Sequence, residues 1–394
     1  MNVYDTFPLR APSAGCDILV VAGEHSGDQQ AARVVEELLA ADPGLRIHAI
    51  GGPALAAAGA TLLHDLTRRS VVGLVEVLRH YRYFRALMAA TVAWIAAHQP
   101  RVVMLTDYPG FNLRLAQALR AHGVSRKGGG GVALYQYVSP QIWAWKAGRR
   151  FRMAQVLDEL GAIFPFEPAC YADCALPVHF VGHPYAAPGH QPLLRYDPAG
   201  DLLLLPGSRR QAVERIFPLL LRALTLLPES CRNLPVAACY PDAALRQLLV
   251  QLMARAGLPA GRVRLLPAGA GAAGRAVLTS SGTMSLACAL AGIPGAIVYR
   301  AHPLTYHIGR RLVRVPYLGI ANLILGEPVY PEFIQQAARP RCLARALATA
   351  ADPARRAAAA ATADRLREAL RAPVGDSAAG RIRALLASPA PARA

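Results

Sequence analysis

Asp107 ends an apolar run, Arg101 to Thr106, and is followed at once by Tyr108-Pro109-Gly110. A buried strand that breaks into such a turn leaves a carboxylate at its C-terminal end, where it can take a proton from a hydroxyl nucleophile. Capping of the helix that begins near Phe111 accounts for the same residue, and spacing leaves both readings open. Three further segments join an apolar run to a helical one through small polar residues: Gly23-Glu24-His25-Ser26-Gly27-Asp28, Leu205-Pro206-Gly207-Ser208-Arg209-Arg210 and Ser280-Ser281-Gly282-Thr283. Backbone N–H groups at a helix N-terminus attract anions, although one such loop alone is equally an ordinary helix start. Two in the C-terminal half favour a diphosphate, with Arg209 neutralising charge on a departing group.

These loops need strands before them and helices after them. Cys16–Ala22, Arg46–Ile50, Arg101–Thr106, Val132–Val138 and Gly161–Phe164 read as strands, with an amphipathic helix over Gln29–Ala40. A second series, Asp201–Leu205, Leu234–Ala238, Arg262–Leu266, Arg275–Thr279 and Gly295–Tyr299, follows the Pro/Gly/His-rich stretch 182–192, which has the composition of a linker. Strands alternating with helices predict an α/β chain of two doubly wound, Rossmann-like domains, with ligand at the carboxyl ends of both sheets. The expected division is a frayed tail over 1–15, one domain over 16–185, a second over 186–370, and a C-terminal helix and tail over 371–394.

The 394 residues carry a net charge of +18, nearly all of it arginine, which predicts attraction to nucleic acid, phosphorylated substrates or an acidic membrane. Arginine and alanine abundance also fits the bias of a GC-rich genome. No apolar run nears the roughly 20 residues that span a bilayer, and no signal segment precedes Gly15, so a cytoplasmic protein is expected. The seven cysteines are scattered, with Cys170 and Cys174 the one close pair, which predicts reduced thiols and no metal. His183, His302 and His307 lack paired ligand spacing. Over residues 72–84, Val75, Val77, Leu78, Tyr81 and Phe84 share a helical face ringed by Arg79, His80, Arg82 and Arg85; that pattern suits an anionic bilayer surface or, more commonly, a core helix with a basic outer face.

Together, Ala22–Asp28, Gly51-Gly52-Pro53, Val72–Leu78, Asp107–Asn112, Tyr137–Trp145, Phe180–His183, Leu205–Arg209, Ser281–Thr283, Tyr299-Arg300 and Pro331–Gln335 resemble, in order, the lipid A disaccharide synthases. The resemblance implies a GT-B fold with an interdomain cleft and an inverting, metal-independent glycosyl transfer that needs no cofactor. In it the 6-hydroxyl of 2,3-diacylglucosamine 1-phosphate attacks the anomeric carbon of UDP-2,3-diacylglucosamine. It further implies Asp107 as general base and Ser208, Arg209, Ser281, Gly282, Thr283, Asn322, Glu332 and Gln335 on the donor side, in the C-terminal domain. The acceptor side would take Glu24, Ser26, Gly27, Asp28, Ser139, Trp143 and Trp145. The Val75–Phe84 face becomes a docking patch on the anionic inner-membrane surface. The basic charge is thereby explained without nucleic acid, since no aromatic stacking series accompanies the arginines. A homodimer is suggested by the family alone.

Two positions depart from the family pattern. Ala287 stands where a glutamate would receive the ribose hydroxyls, and Ala212 where another glutamate is usual, with Glu214 nearby. Charge-assisted hydrogen bonds contribute roughly 1.5–3 kcal/mol each, so the loss bears on donor affinity. The competing expectation is a degenerate or altered-specificity homologue that binds UDP-sugar or glycolipid without this activity.

Overall fold

The computed structural model describes residues 9, 15–67, 81–259, 261–269, 271–302, 306, 309, 313 and 315–388. The chain divides into two compact units, residues 1–184 with 372–394, and residues 185–371.

In the first unit the order is β1 (Ile18–Ala22), α1 (His25–Ala41), β2 (Ile47–Gly51), α2 (Pro53–Ala57), β3 (Thr61–Asp65), α3 (Tyr81–His98), β4 (Val102–Thr106), α4 (Pro109–Ala121), β5 (Ala133–Tyr137), α5 (Arg149–Ala154), β6 (Glu159–Ala162) and β7 (Val178–Phe180). The strands form one parallel sheet in the order β3-β2-β1-β4-β5-β6-β7. Every residue of β1, β2, β4 and β5 is buried, as the apolar runs require of strands covered on both faces. Strands β3 and β7 do not read as strands in the sequence. They lie at the sheet's edges, are only half-buried, and so carry polar residues such as His64 and His179. The β6 register is displaced from the expected Gly161–Phe164 because it opens with Glu159, a buried carboxylate that breaks the apolar pattern.

The second unit runs β8 (Leu194–Leu205), α6 (Arg210–Leu224), α7 (Glu229–Arg232), β9 (Val236–Tyr240), α8 (Ala243–Arg255), β10 (Arg264–Pro267), β11 (Ala272–Ser280), α9 (Thr283–Leu290), β12 (Gly295–Tyr299), α10 (Ile320–Leu325), β13 (Glu332–Ile334), α11 (Pro340–Ala350) and α12 (Arg356–Leu370). Its parallel sheet is ordered β10-β9-β8-β11-β12-β13. Helix α6 places Val213, Ile216, Phe217, Leu220 and Leu224 on one face, at the three- and four-residue spacing that buries a stripe against the sheet.

A last helix, α13 (Ala378–Ala387), returns to the first unit. Its Arg381 grips buried Glu159 through two bonds, Nε to Oε1 at 2.5 Å and Nη2 to Oε2 at 3.0 Å. Arg101 donates to Leu386 O, and Arg126 to Leu385 O and Ser388 O, so two cations neutralise the negative end of this helix. Gly182, at φ +80°, lies against the returning chain; a Cβ there would come within 2.7 Å of the Ala372 nitrogen.

Both sheets reverse direction between a first strand and a fourth, β1/β4 and β8/β11. Loops leaving the carboxyl ends of such neighbours diverge to opposite faces, and that divergence is where doubly wound sheets bind ligands.

Candidate active site

At the β1/β4 switch point the chain turns abruptly. Asp107 and Tyr108 both adopt left-handed backbone, at φ 46° and 42°, a conformation that costs a non-glycine residue roughly 1 kcal/mol or more. The turn is held from three sides. The Asp107 N–H donates to Tyr137 O of the neighbouring strand end at 3.1 Å. Buried Asn112 donates through Nδ2 to Thr106 O at 3.2 Å and Asp107 O at 2.8 Å. The Tyr108 ring lies directly on Gly23, where a Cβ would meet its Cδ1 at 2.3 Å. No residue but glycine fits at 23.

Helix α4 takes Tyr108 as its N-cap, without a side-chain cap bond, so the Asp107 carboxylate is not spent on capping. Burial raises its pKa above the ordinary carboxylate value, only partly opposed by the Tyr108 N–H. A desolvated carboxylate with a raised pKa is a stronger base once ionised. The Tyr108 phenol is also pushed up, first by burial and then by the charge of Glu24.

Helix α1 begins at His25, so residues expected in a loop form its first turn. Gly27 sits against Asp107, with 3.8 Å between the Asp107 Cβ and a Cβ built on Gly27, and Glu24 and Ser26 stand at the same strand end. Asp28 does not join them. It is 1% exposed, and its carboxylate accepts from the N–H groups of Gly52 at 2.8 Å, Ala54 at 2.9 Å and Leu55 at 3.3 Å, fixing the start of α2.

The segment after β5 is anchored from beneath by a residue that sequence reasoning missed. Buried Glu167 accepts from Ile163 N at 3.1 Å, Phe164 N at 3.0 Å and Trp143 Nε1 at 3.2 Å. Burial lifts its carboxyl to about 8 despite these donors. Ser139, expected on the acceptor side, is buried and bonded to Tyr171 Oη at 2.8 Å and Pro140 O at 3.0 Å. It belongs to this anchor. Trp143 meets Phe166 edge to face, whereas Trp145 is 45% exposed with the Lys146 ammonium 4.4 Å from its ring centre.

Of the expected docking residues, Val75, Val77, Leu78 and the Tyr81 side chain lie outside the described residues. Phe84 faces inward: it packs on the core and contacts Tyr83, Tyr108 and Phe111 at ring separations of 5.2, 6.4 and 6.5 Å. In that packing it supports the Asp107–Tyr108 turn. His183 is likewise buried, stacked on Phe164.

At the β8/β11 switch point the two expected anion loops lie side by side, since Leu205 pairs with Thr279. Gly207 (φ +115°) and Gly282 (φ +137°) take the backbone angles that other residues resist, and a Cβ on Gly207 would lie 3.2 Å from Ser280 Oγ. Helices α6 and α9 start from these loops, which brings two helix N-termini together with Ser208, Arg209, Ser281 and Thr283. Among the described residues no carboxylate pairs with Arg209, whereas Arg210 binds Glu214 at 2.8 Å. Glu214 is therefore already engaged. Ala287, buried on α9, faces a cavity of about 500 Å³ also lined by Arg195, Arg367 and Arg371.

Three expected donor contacts are turned inward instead. Asn322 is fully buried and donates to Tyr330 O and Glu332 Oε1 while accepting from Tyr330 N. Glu332 also accepts from Leu318 N and Gly319 N, and Gln335 clasps the backbone of Ala301 through both amide atoms. Their polar atoms are satisfied by the fold, which makes them braces for the segments after β12 and around β13. Among the described residues, no three His, Cys, Asp or Glu are grouped as metal ligands.

The two parallel-sheet units make up a fold of the GT-B class. The chain is similar to the kitacinnamycin glycosyltransferase (TM-score 0.59, 15% identity, 94% of this chain and 99% of that one). It is also similar to MurG of Acinetobacter baumannii (TM-score 0.51, 12% identity, the same coverage). At such identities the likeness is one of fold. The family model described as lipid-A-disaccharide synthetase matches residues 18–383. The lipid-A-disaccharide synthases of Geobacter metallireducens and Geobacter sulfurreducens are 37% and 38% identical, over 82% and 81% of this chain and 84% and 83% of theirs. That of Syntrophus aciditrophicus is 35% identical over 90% of this chain and 94% of its own. The chain belongs to the lipid-A-disaccharide synthase family and is an enzyme of lipid A biosynthesis.

Proposed function

We propose that this enzyme joins UDP-2,3-diacylglucosamine to 2,3-diacylglucosamine 1-phosphate. The acceptor 6-hydroxyl loses its proton to the Asp107 carboxylate as its oxygen attacks the donor's anomeric carbon from the face opposite UDP. The bond from that carbon to the diphosphate oxygen breaks, and the products are the β-1,6-linked disaccharide 1-phosphate and UDP. Arg209 and the N-termini of α6 and α9 stabilise the charge that collects on the departing diphosphate. The observation that carries this reading is the Asp107 turn: a desolvated carboxylate on braced, strained backbone at a switch point. The test is disaccharide synthesis by the purified protein from the two acylated substrates. No product from the wild type, or most of the activity surviving in Asp107→Ala, defeats it.

The donor ribose is the point of departure from relatives. Ala287 supplies no carboxylate and Glu214 pairs with Arg210, which leaves backbone carbonyls to meet the ribose hydroxyls. Ala287→Glu is expected to tighten UDP binding by about tenfold, measured by calorimetry. An unchanged affinity would mean that the ribose lies elsewhere.

The enzyme works at the anionic cytoplasmic face of the inner membrane, drawn there by its basic charge. No helix among the described residues is long and apolar enough to cross a membrane. Salt-sensitive sedimentation with phosphatidylglycerol vesicles, but not with phosphatidylcholine alone, is the expected result.

A further inference from the structure

A cavity of about 600 Å³ opens beside the Pro109-Gly110 turn in the first unit. Four cations line it: Arg114 from α4, Lys146 from the segment after β5, and Arg149 and Arg152 from α5. No acidic residue lines it, and none of the four makes an ion pair among the described residues. The contrast with Arg150 is local and sharp, because that next residue on α5 is neutralised by Asp173 through two hydrogen bonds. Like charges gathered without counter-charges repel one another, and an anion among them relieves that repulsion. Lys146 adopts left-handed backbone (φ 55°), and its ammonium lies 4.4 Å from the centre of the Trp145 ring, a cation–π contact beside the cavity. Buried Met153 and half-buried Leu113 give the cavity an apolar wall.

We propose that this cavity is a phosphomonoester site and that it seats the 1-phosphate of the sugar acceptor. A phosphomonoester carries nearly two negative charges and three acceptor oxygens, enough to engage several of these donors, with arginine forks matching it in paired fashion. The position fits a ligand held at two points. Gly110 follows Asp107 by three residues, a span of at most roughly 11 Å, which is the scale of one phosphosugar. The phosphate thus fixes one end of the acceptor while a hydroxyl at the other meets the base. This inference rests on the proposed function for the identity of the ligand, but the phosphate site itself can be read without turnover.

The experiment compares wild type with Arg149→Gln/Arg152→Gln, and with Arg120→Gln/Arg222→Gln, which removes the same charge from exposed positions elsewhere. Each is titrated with N-acetylglucosamine 1-phosphate and with N-acetylglucosamine, following amide shifts by NMR. Wild type is expected to bind the phosphorylated sugar at least tenfold more tightly than the plain one. The paired cavity variant should lose that preference, and the charge control should keep it. In turnover the cavity variant should raise the acceptor KM by about tenfold or more, with the donor KM unmoved. If wild type made no disaccharide but kept its phosphosugar preference, the functional reading would fail and the site would stand. Equal binding of the two sugars by wild type overturns the site. So does a cavity variant that keeps the preference yet loses binding to phosphatidylglycerol vesicles, since the cations would then serve lipid headgroups.

Discussion

The two switch points share one topology and are built from opposite materials. At β1/β4 the unusual backbone falls on Asp107 and Tyr108, which resist it; at β8/β11 it falls on Gly207 and Gly282, which do not. A base must stay fixed, partly dry and aimed, and the fold meets the strain with the Asn112 bonds and the Gly23–Tyr108 contact. A diphosphate site must present backbone N–H groups at close range, which glycine permits without strain. A second contrast sharpens the first. Among the described residues no carboxylate pairs with Arg209 and the Asp107 carboxylate takes the Tyr108 N–H, whereas Asn322, Glu332 and Gln335 spend their polar atoms on several bonds within the protein. The proposed base and the proposed diphosphate ligand are thus the residues the fold leaves least engaged.

Substitutions can break this division, beginning with the largest effect. Asp107→Asn should lower kcat by about 10²- to 10⁴-fold while UDP affinity, read by calorimetry, stays put. A modest loss would move the base elsewhere. Arg209→Ala should cut kcat/KM by about 10²-fold, with UDP binding weakened in step. Asn322→Ala should behave differently in kind. It leaves Glu332 and the Tyr330 backbone short of partners, so denaturant unfolding should show a loss of about 2–3 kcal/mol with UDP affinity of the folded protein retained. Lost UDP binding in a fully stable variant would return Asn322 to the donor site.

The smallest effect concerns Glu167. Its folded pKa of about 8 stands above the ordinary 4.5, so the carboxyl's contribution is complete below pH 4.5 and declines as pH rises toward 8. Glu167→Gln, which mimics the protonated form, should therefore match wild type near pH 5. By pH 8 it should exceed wild type in thermal or denaturant unfolding. A parallel pH dependence in the two proteins would show that Glu167 is ionised in the fold.

Much of this was legible in the sequence for a physical reason. Central parallel strands are buried on both faces, so β1, β4, β5, β8 and β11 announce themselves as apolar runs, and the glycine-bearing loops follow directly. Edge strands such as β3 and β13 are half-exposed and carry no such signal. The family resemblance set several motif residues against the substrates, and the structure shows what else they hold. Asp28, Ser139, Asn322, Glu332 and Gln335 sit within matched motifs, yet their hydrogen bonds reach residues 8 to 34 positions away within the protein, to backbone for four of them and to the Tyr171 hydroxyl for Ser139. Phe84 falls on an apolar helical face that suits a bilayer surface or a core, and its ring packs against those of Tyr108 and Phe111. Glu167 left no trace, because nothing in a linear pattern says that a glutamate between Phe166 and Pro168 will be dry. The cationic cavity escaped for a related reason: its four cations come from three separate segments.

The central claim is that the raised carboxyl of Asp107 takes the proton in glycosyl transfer, and the pH dependence of kcat/KM for disaccharide synthesis tests it most directly. Wild type and Glu167→Gln should share one acidic limb, with an apparent pKa above 3.8, the ordinary value for an aspartate. An acidic limb that shifts in Glu167→Gln, or a rate that stays flat down to the ordinary carboxylate range, would contradict the assignment of Asp107 as the base.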